Sequence, residues 1–190
     1  MRRNIRTAAP PPGFRYHTEF VEIEEERELL DRIRTLPFSE FEFHGYLARR
    51  RVISFGWRYQ YDERVLQPAE PIPAFLLPLR ECAAIFARCR ADDLVQSTVA
   101  EYRPGTAIGW HRDKPVFGEV IGVSLCSSCL FRFRRRVGSD AWERYSLVAE
   151  PRSVYLMSGE ARKDFEHSIP AVTSLRYSIT FRTLREKPSL

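Results

Sequence analysis

The sequence predicts an α+β domain, mainly β, in which a helical N-terminal third packs on an all-β C-terminal body. Amphipathic helical patterns occur only in the first half of the chain. After Leu94, short runs rich in β-branched and aromatic residues alternate with turn residues. Several short strands without helices between them are typical of a sandwich or a barrel. The 190 residues suffice for one domain with a substantial core.

The N-terminal third is expected to contain an arm and two helices. Residues 1–14 hold three arginines followed by three prolines, which indicates a flexible arm. A first helix is predicted from Glu22 to Thr35, because its acidic start and basic end suit the helix macrodipole. A second helix is predicted from about Ala74 to Arg90, introduced by Pro71 and Pro73.

Strand-like segments fill the rest of the chain. Phe41 to Tyr61, between the two helices, is rich in aromatic and β-branched residues and predicts short strands or a hairpin. Near residue 130, Phe131 and Phe133 alternate with arginines, which predicts a strand with one apolar and one charged face.

Composition limits the partners and the compartment. No apolar run approaches the roughly 20 residues needed to span a bilayer, and the N-terminus lacks the apolar stretch of a secretory signal. A cytoplasmic location without membrane contact is therefore expected. Four cysteines in a chain of this length do not indicate a disulfide framework. The net charge of +5 arises in residues 96–190, which suits a nucleic-acid partner, although an arginine-rich composition alone would also produce it.

One segment carries a candidate metal site. His111 and Asp113 are two residues apart, so on extended backbone both project to the same side. A second imidazole, His167, lies just before the last strand-like run. Two histidines and one carboxylate on one face of an octahedral iron(II) leave three positions open. An HxD pair alone is weak evidence, because it arises by chance in many proteins.

The last strand-like run strengthens this interpretation. It has a polar and an apolar face, with Arg176, Ser178, Thr180 and Arg182 on one side and Tyr177, Ile179 and Phe181 on the other. A doubly cationic face suits a dianion, because guanidinium groups bind carboxylates bidentately. The alternative is an exposed edge strand with two ordinary arginines.

The HxD pair, the distant histidine and the R-x-S-x-T-F-R run together resemble the AlkB family of 2-oxoglutarate and iron(II)-dependent dioxygenases. The resemblance extends from about Arg51 to Leu184. It implies a double-stranded β-helix, or jelly roll, with the N-terminal helices packed on one sheet. Residues 95–185 would form the jelly-roll core within a single catalytic domain of residues 15–190.

The resemblance also implies the cofactors and the residues that bind them. Iron(II) would be held by His111, Asp113 and His167. Arg176 would bind the distal carboxylate of 2-oxoglutarate, helped by Ser178 and Tyr102. Arg182 would bind the carboxylate that chelates the iron.

The implied reaction consumes dioxygen and 2-oxoglutarate, yields succinate and carbon dioxide, and hydroxylates a C–H bond. An N-methyl group treated in this way is lost as formaldehyde. The leading hypothesis is removal of alkyl groups from nucleobases in DNA or RNA. The alternatives are the same chemistry on modified tRNA, protein or a small molecule, and a non-catalytic jelly-roll binding module. Ala100 and Pro115 stand where base-repairing members usually carry asparagine and often an acidic residue, which leaves the substrate open.

The substrate-binding region is predicted at about residues 41–65, where the sequence resembles the nucleotide-recognition region of AlkB-like proteins. Trp57, Tyr59 and Tyr61 are the candidates for stacking on a base, and Arg51 and Trp110 are further candidate contacts. Packing of these aromatic residues beneath the helices is the alternative. Nucleic acid is the expected partner, and a monomer is expected.

Overall fold

A computed structural model describes residues 9–43, 46–60, 65–138 and 141–185. Three α-helices occur in this part of the chain: α1 (Ile23–Ile33), α2 (Leu77–Ala87) and α3 (Gly159–Lys163). Short 3-10 helices at Ala74–Leu76 and Ala91–Asp93 flank α2. The first seven strands are β1 (Phe14–His17), β2 (Ser39–Phe43), β3 (Tyr46–Phe55), β4 (Trp57–Gln60), β5 (Val65–Pro68), β6 (Gln96–Tyr102) and β7 (Ile108–His111). The remaining strands are β8 (Phe117–Leu125), β9 (Cys129–Val137), β10 (Ala141–Ala149), β11 (Ser153–Met157), β12 (Glu166–Ile169) and β13 (Arg176–Leu184).

The strands form a jelly roll of two antiparallel sheets. The seven-stranded sheet has the order β1-β11-β8-β13-β6-β3-β2, and the four-stranded sheet has the order β10-β9-β12-β7. Strands β4 and β5 form a separate hairpin. The mainly β fold class and the jelly-roll architecture predicted from the sequence are therefore confirmed.

Helices α1 and α2 cover the outer face of the seven-stranded sheet, as predicted. Leu29, Leu30 and Ile33 of α1 and buried residues of α2 share one apolar cluster with residues of β8 and β13 that point toward the helices. The second helix ends earlier than the predicted Arg90, because Arg88 adopts a left-handed conformation with φ of 62° and terminates it.

A second apolar cluster fills the space between the two sheets. It includes Phe131 and Phe133 of β9, Tyr155 of β11 and Tyr102 of β6. The alternation of β9 is as predicted, since its phenylalanines are buried and its neighbouring arginines are not. The polar face of β13 also points into this space, next to the apolar cluster.

The flexible arm predicted for residues 1–14 is wrong at its C-terminal end. Phe14 begins β1, which pairs with β11, and its ring lies 4.9 Å from that of Phe133 between the sheets. The carbonyls of Pro12 and Gly13 accept hydrogen bonds from the backbone of Ala161 and Ser158. Residues 1–8 lie outside the described residues. No described helix is long and apolar enough to cross a membrane.

Candidate metal centre

The jelly roll brings His111, Asp113 and His167 together. His111 ends β7 and lies directly opposite His167 on β12. The Nε2 atoms of the two histidines lie 3.8 Å and 3.7 Å from Oδ1 of Asp113, and one ligand atom from each residue falls within 4.8 Å of the others. Octahedral bonds of about 2.1 Å separate neighbouring ligands by about 3 Å. Inward shifts of about 1 Å would therefore close the three donors on one ion.

Hydrogen bonds orient two of these donors. Nδ1 of His111 lies 2.9 Å from the Gly109 carbonyl oxygen, so a proton on Nδ1 leaves the lone pair of Nε2 facing Asp113. Nε of Arg182 donates to Oδ2 of Asp113 at 2.7 Å, which leaves Oδ1 for the side of the imidazoles. The donor set is thus pre-arranged for a metal ion.

The electrostatics of the cluster favour the protonation states in which histidine and aspartate bind a metal. Burial, together with the nearby His111, lowers the pKa of His167 to about 3. Burial also lowers the pKa of His111. Burial alone would raise the pKa of Asp113, but the charges of Arg182 and the two histidines hold it far below its ordinary value. Neutral imidazoles and an ionised carboxylate are the forms that bind a divalent metal.

Arg182 is anchored to protein groups around the cluster. Besides Asp113, its guanidinium donates to Oε1 of Gln96 at 2.9 Å and to the hydroxyls of Thr98 and Thr180 at 3.2 Å and 2.9 Å. Arg182 therefore supports a metal ligand directly. Its predicted contact with 2-oxoglutarate stays a prediction.

Arg176 has a different environment on the same face of β13. It is only 1% exposed, its Nε donates to Oγ of Ser124 at 3.0 Å, and its guanidinium carbon lies 5.0 Å from the centre of the Tyr102 ring. Among the described residues, its buried Nη1 has no hydrogen-bond partner. Burying an uncompensated guanidinium is costly, and a carboxylate ligand would satisfy it by a charge-assisted hydrogen bond. Buried Ser178 lies on the same face of the strand.

Tyr155, which the sequence analysis missed, lies between these two regions. Its fully buried phenol is within electrostatic range of Arg176 on one side and of Asp113 and Arg182 on the other, and burial raises its pKa well above the ordinary value. The ring lies against Gly122, where a Cβ would be 2.1 Å from the ring carbon Cζ. The contact joins β11 to β8, and neither residue has a local motif that could have revealed it.

Arg162 of α3 was also missed. It is 5% exposed, and it donates to three backbone carbonyls that follow Asp113 in the chain: Lys114 at 2.7 Å, Phe117 at 2.9 Å and Gly118 at 2.9 Å. Burial lowers the pKa of its guanidinium. Arg162 therefore fixes the loop that connects the carboxylate of Asp113, a candidate metal ligand, to β8.

The hairpin of β4 and β5 contacts the residue that follows Asp113. Nζ of Lys114, the residue after Asp113, lies 5.1 Å from the centre of the Tyr59 ring. Trp57 is half-buried on the same hairpin. Gly56 adopts a φ of 73°, and a Cβ there would lie 2.0 Å from the Val95 carbonyl oxygen, so the turn into β4 requires glycine. The candidate residue Tyr61 lies outside the described residues.

Two predicted substrate contacts, Arg51 and Trp110, face away from the pocket. Arg51 lies opposite Glu101 and donates to its Oε1 at 3.0 Å, on the face of the sheet that the helices cover. Arg50 is instead near enough to His111 for its charge to lower the pKa of that histidine. Trp110 stacks with arginines on the outer face of the four-stranded sheet. Neighbouring strand residues project to opposite sides, so neither side chain faces the three candidate metal ligands. Their contact with a substrate stays a prediction.

Comparison with known proteins agrees with this geometry. The sequence model of the 2OG-Fe(II) oxygenase superfamily matches residues 13–182. The chain belongs to this superfamily. It is therefore a 2-oxoglutarate-dependent dioxygenase whose cofactors are iron(II), 2-oxoglutarate and dioxygen, and the predicted AlkB-like membership is confirmed.

Individual relatives carry the AlkB name. The chain is 27% identical over 175 residues to the tRNA (carboxymethyluridine(34)-5-O)-methyltransferase ALKBH8 of Mus musculus, covering 88% of this chain and 26% of that protein. It is 27% identical over 212 residues to the alkylated DNA repair protein ALKBH8 homolog of Arabidopsis thaliana, covering 93% and 60%. The solved structure of OsALKBH1 has the same fold, with a TM-score of 0.64 at 17% identity over 93% of this chain and 98% of that chain. The chain thus spans only part of its two curated relatives.

Proposed function

We propose that this dioxygenase oxidises an alkyl substituent on a nucleobase of DNA or RNA, with His111, Asp113 and His167 holding the iron. The observation that carries the assignment is the three-residue cluster, together with a buried guanidinium nitrogen of Arg176 that has no hydrogen-bond partner among the described residues. When bound, iron(II) supplies the activation of dioxygen at the expense of 2-oxoglutarate.

The protein residues position and desolvate the reactants. Arg176 binds the distal carboxylate of 2-oxoglutarate, and the hydroxyls of Ser124 and Ser178 and the Tyr102 ring complete the polar end of the pocket. Tyr155 keeps water from the space between Arg176 and the metal cluster, since it is buried between the sheets. Arg182 holds Asp113 ionised with Oδ1 turned toward the metal.

Nucleic acid is the proposed substrate because of the residues around the metal centre and the names of the relatives. Lys114 follows Asp113 and its ammonium contacts the Tyr59 ring, while the charge of Arg50 acts on His111. An aromatic ring and two cations suit a base and its phosphates. One relative is named an alkylated DNA repair protein homolog, which agrees with the first candidate. Hydroxylation of a tRNA base is a second candidate, because another relative is named a tRNA (carboxymethyluridine(34)-5-O)-methyltransferase.

The test is to incubate the enzyme with iron(II), ascorbate and 2-oxoglutarate and offer four substrates: methylated single-stranded DNA, methylated single-stranded RNA, tRNA and methylated peptide. We expect nucleic acid, and not peptide, to stimulate succinate formation above the uncoupled rate. Formaldehyde release identifies demethylation, whereas a stable product heavier by one oxygen atom identifies hydroxylation of a tRNA base. Stimulation by peptide alone would contradict the proposal, and Asp113→Ala serves as the inactive control.

A further inference from the structure

The outer face of the four-stranded sheet carries an arginine–tryptophan face that the active site does not use. We define it by Trp110 of β7, Arg132, Arg134 and Arg136 of β9, and Trp142 and Arg144 of β10. These residues alternate with residues that point between the sheets, such as Phe131, Phe133 and His111. The face is thus on the opposite side of the sheet from the metal ligands.

Stacked side chains organise this face. The guanidinium carbon of Arg134 lies 4.3 Å from the centre of the Trp110 ring and 4.5 Å from that of Trp142. The guanidinium of Arg132 lies 4.9 Å from the same Trp110 ring. Such cation–π contacts hold planar groups in fixed positions. The result is a preformed aromatic and cationic platform formed by residues of β7, β9 and β10.

The charge of the face is unbalanced. Arg134 lies directly opposite Arg144 in the strand register, and like charges in that position are destabilising. Among the described residues whose side chains share this face, Glu166 supplies one carboxylate, at 2.6 Å from Arg134. Arg135, which projects to the other side of β9, contacts two carboxylates, those of Glu143 and Glu160. The excess of cations on the outer face favours an anionic partner.

The face is open to solvent. Trp142 is 40% exposed, and Arg136 and Arg144 are exposed. An exposed indole beside guanidinium groups suits a partner that offers flat rings together with phosphates. Bases in a duplex are already stacked and paired, so a single strand satisfies both features.

We propose that the arginine–tryptophan face binds single-stranded nucleic acid outside the catalytic pocket, with a base stacked on Trp142 and the phosphates along the arginines. On the edge strand β7, His111 points between the sheets and Trp110 points to the outer face. A nucleic acid that leaves the catalytic site can therefore pass around this edge onto the arginine–tryptophan face. The inference rests on the proposed function for its choice of nucleic acid as the partner, and it adds a second binding surface.

The test measures the affinity of the full chain for a short, unmodified, fluorescently labelled single-stranded RNA by anisotropy over a range of salt concentrations. Trp142→Ala should weaken binding by roughly 5- to 150-fold, the equivalent of one stacked base. Arg144→Gln should reduce the slope of log affinity against log salt by roughly 0.7. Arg27→Gln removes an exposed arginine from α1, on the helix-covered side of the molecule, and should change neither quantity.

Three outcomes would overturn the proposal. Wild-type affinity for RNA in both variants would show that this face does not bind nucleic acid. If Trp142→Ala loses affinity for inorganic polyphosphate as much as for RNA, the binding depends on charge and not on base stacking. A lower melting temperature with unchanged affinity would show that the stack serves only to hold the sheet together.

Uncoupled decarboxylation of 2-oxoglutarate, measured on every variant, separates this inference from the proposed function. If RNA binding depends on Trp142 but no nucleic acid is oxidised, the binding face is supported and the proposed substrate is contradicted. If nucleic acid is oxidised with the wild-type KM in both variants, the proposed function is supported and the binding face is contradicted.

Discussion

Arg176 and Arg182 lie on the same face of β13, yet their surroundings differ at the level of single atoms. Arg182 donates to Asp113 and to three neutral side chains. Arg176 keeps one buried nitrogen without a partner among the described residues. We therefore propose that Arg182 acts on the metal through Asp113 and that Arg176 binds the cosubstrate. Substitutions should separate these two roles.

Arg176→Met should weaken 2-oxoglutarate binding by roughly 10- to 150-fold, which corresponds to a charge-assisted hydrogen bond of about 1.5–3 kcal/mol. Iron(II) affinity should stay unchanged. The melting temperature of the metal-free protein should not fall, because the substitution also removes an uncompensated buried charge. Titration calorimetry and thermal unfolding measure these quantities. In Arg182→Met, by contrast, both iron and 2-oxoglutarate should bind more weakly, and identical profiles for the two variants would contradict the division of roles.

Arg162 acts on the site through the backbone that follows Asp113. Arg162→Met should lower metal affinity by roughly 10- to 100-fold, as is typical when a group that orients a ligand is lost. The measurement is an anaerobic metal titration, with the exposed neighbour Lys163→Met as a matched control. A fall in melting temperature with unaltered metal affinity would mean that Arg162 serves stability alone.

At the scale of elements, the site depends on a close approach between β8 and β11. Gly122→Ala should displace the Tyr155 ring, because no Cβ fits between them. We expect a loss of about 1–3 kcal/mol in the free energy of unfolding and weaker 2-oxoglutarate binding. Gly109→Ala, where a Cβ meets no atom within 4 Å, is the control for stability. Equal melting temperatures for Gly122→Ala and the wild type would contradict the packing.

The sequence predicted those parts of the elements that local patterns encode. His111 and Asp113 share one short segment, and β13 alternates polar and apolar residues so strictly that its two faces were unambiguous. Strand β3 has three successive arginines, Arg49, Arg50 and Arg51, so the sequence does not show which of them face the helices. Only the pairing of β3 with β6 shows that Arg51 does. Trp110 projects to the outer face of its sheet, which its position in the sequence does not reveal. Tyr155, Gly122 and Arg162 act through contacts between distant parts of the chain, which leave no local pattern.

At the scale of the whole molecule, both sheets contribute side chains to the candidate site in the space between them. His111 and His167 come from adjacent strands of one sheet, whereas Arg176 and Arg182 come from the other. Ligands that bridge the sheets should therefore stabilise the entire fold. At 100 times its dissociation constant, a ligand adds about 2.7 kcal/mol to the free energy of unfolding, or roughly 5–10 °C in melting temperature for a chain of this size.

We expect this increase under anaerobic conditions with iron(II) and 2-oxoglutarate together, and its reversal by a chelator. Differential scanning fluorimetry is sufficient to measure it, with glutarate in place of 2-oxoglutarate as a control that lacks the keto oxygen. An unchanged melting temperature at saturating concentrations of both would contradict a site between the sheets.

The most direct test of the central claim is an anaerobic titration of iron(II) followed by 2-oxoglutarate, monitored by the visible charge-transfer absorption of their complex. The wild-type protein should bind one iron and then develop the band as 2-oxoglutarate is added. Asp113→Ala should develop no band at the same concentrations while keeping the wild-type circular dichroism spectrum. A band of equal intensity and equal iron affinity in Asp113→Ala would show that His111, Asp113 and His167 do not form the iron site.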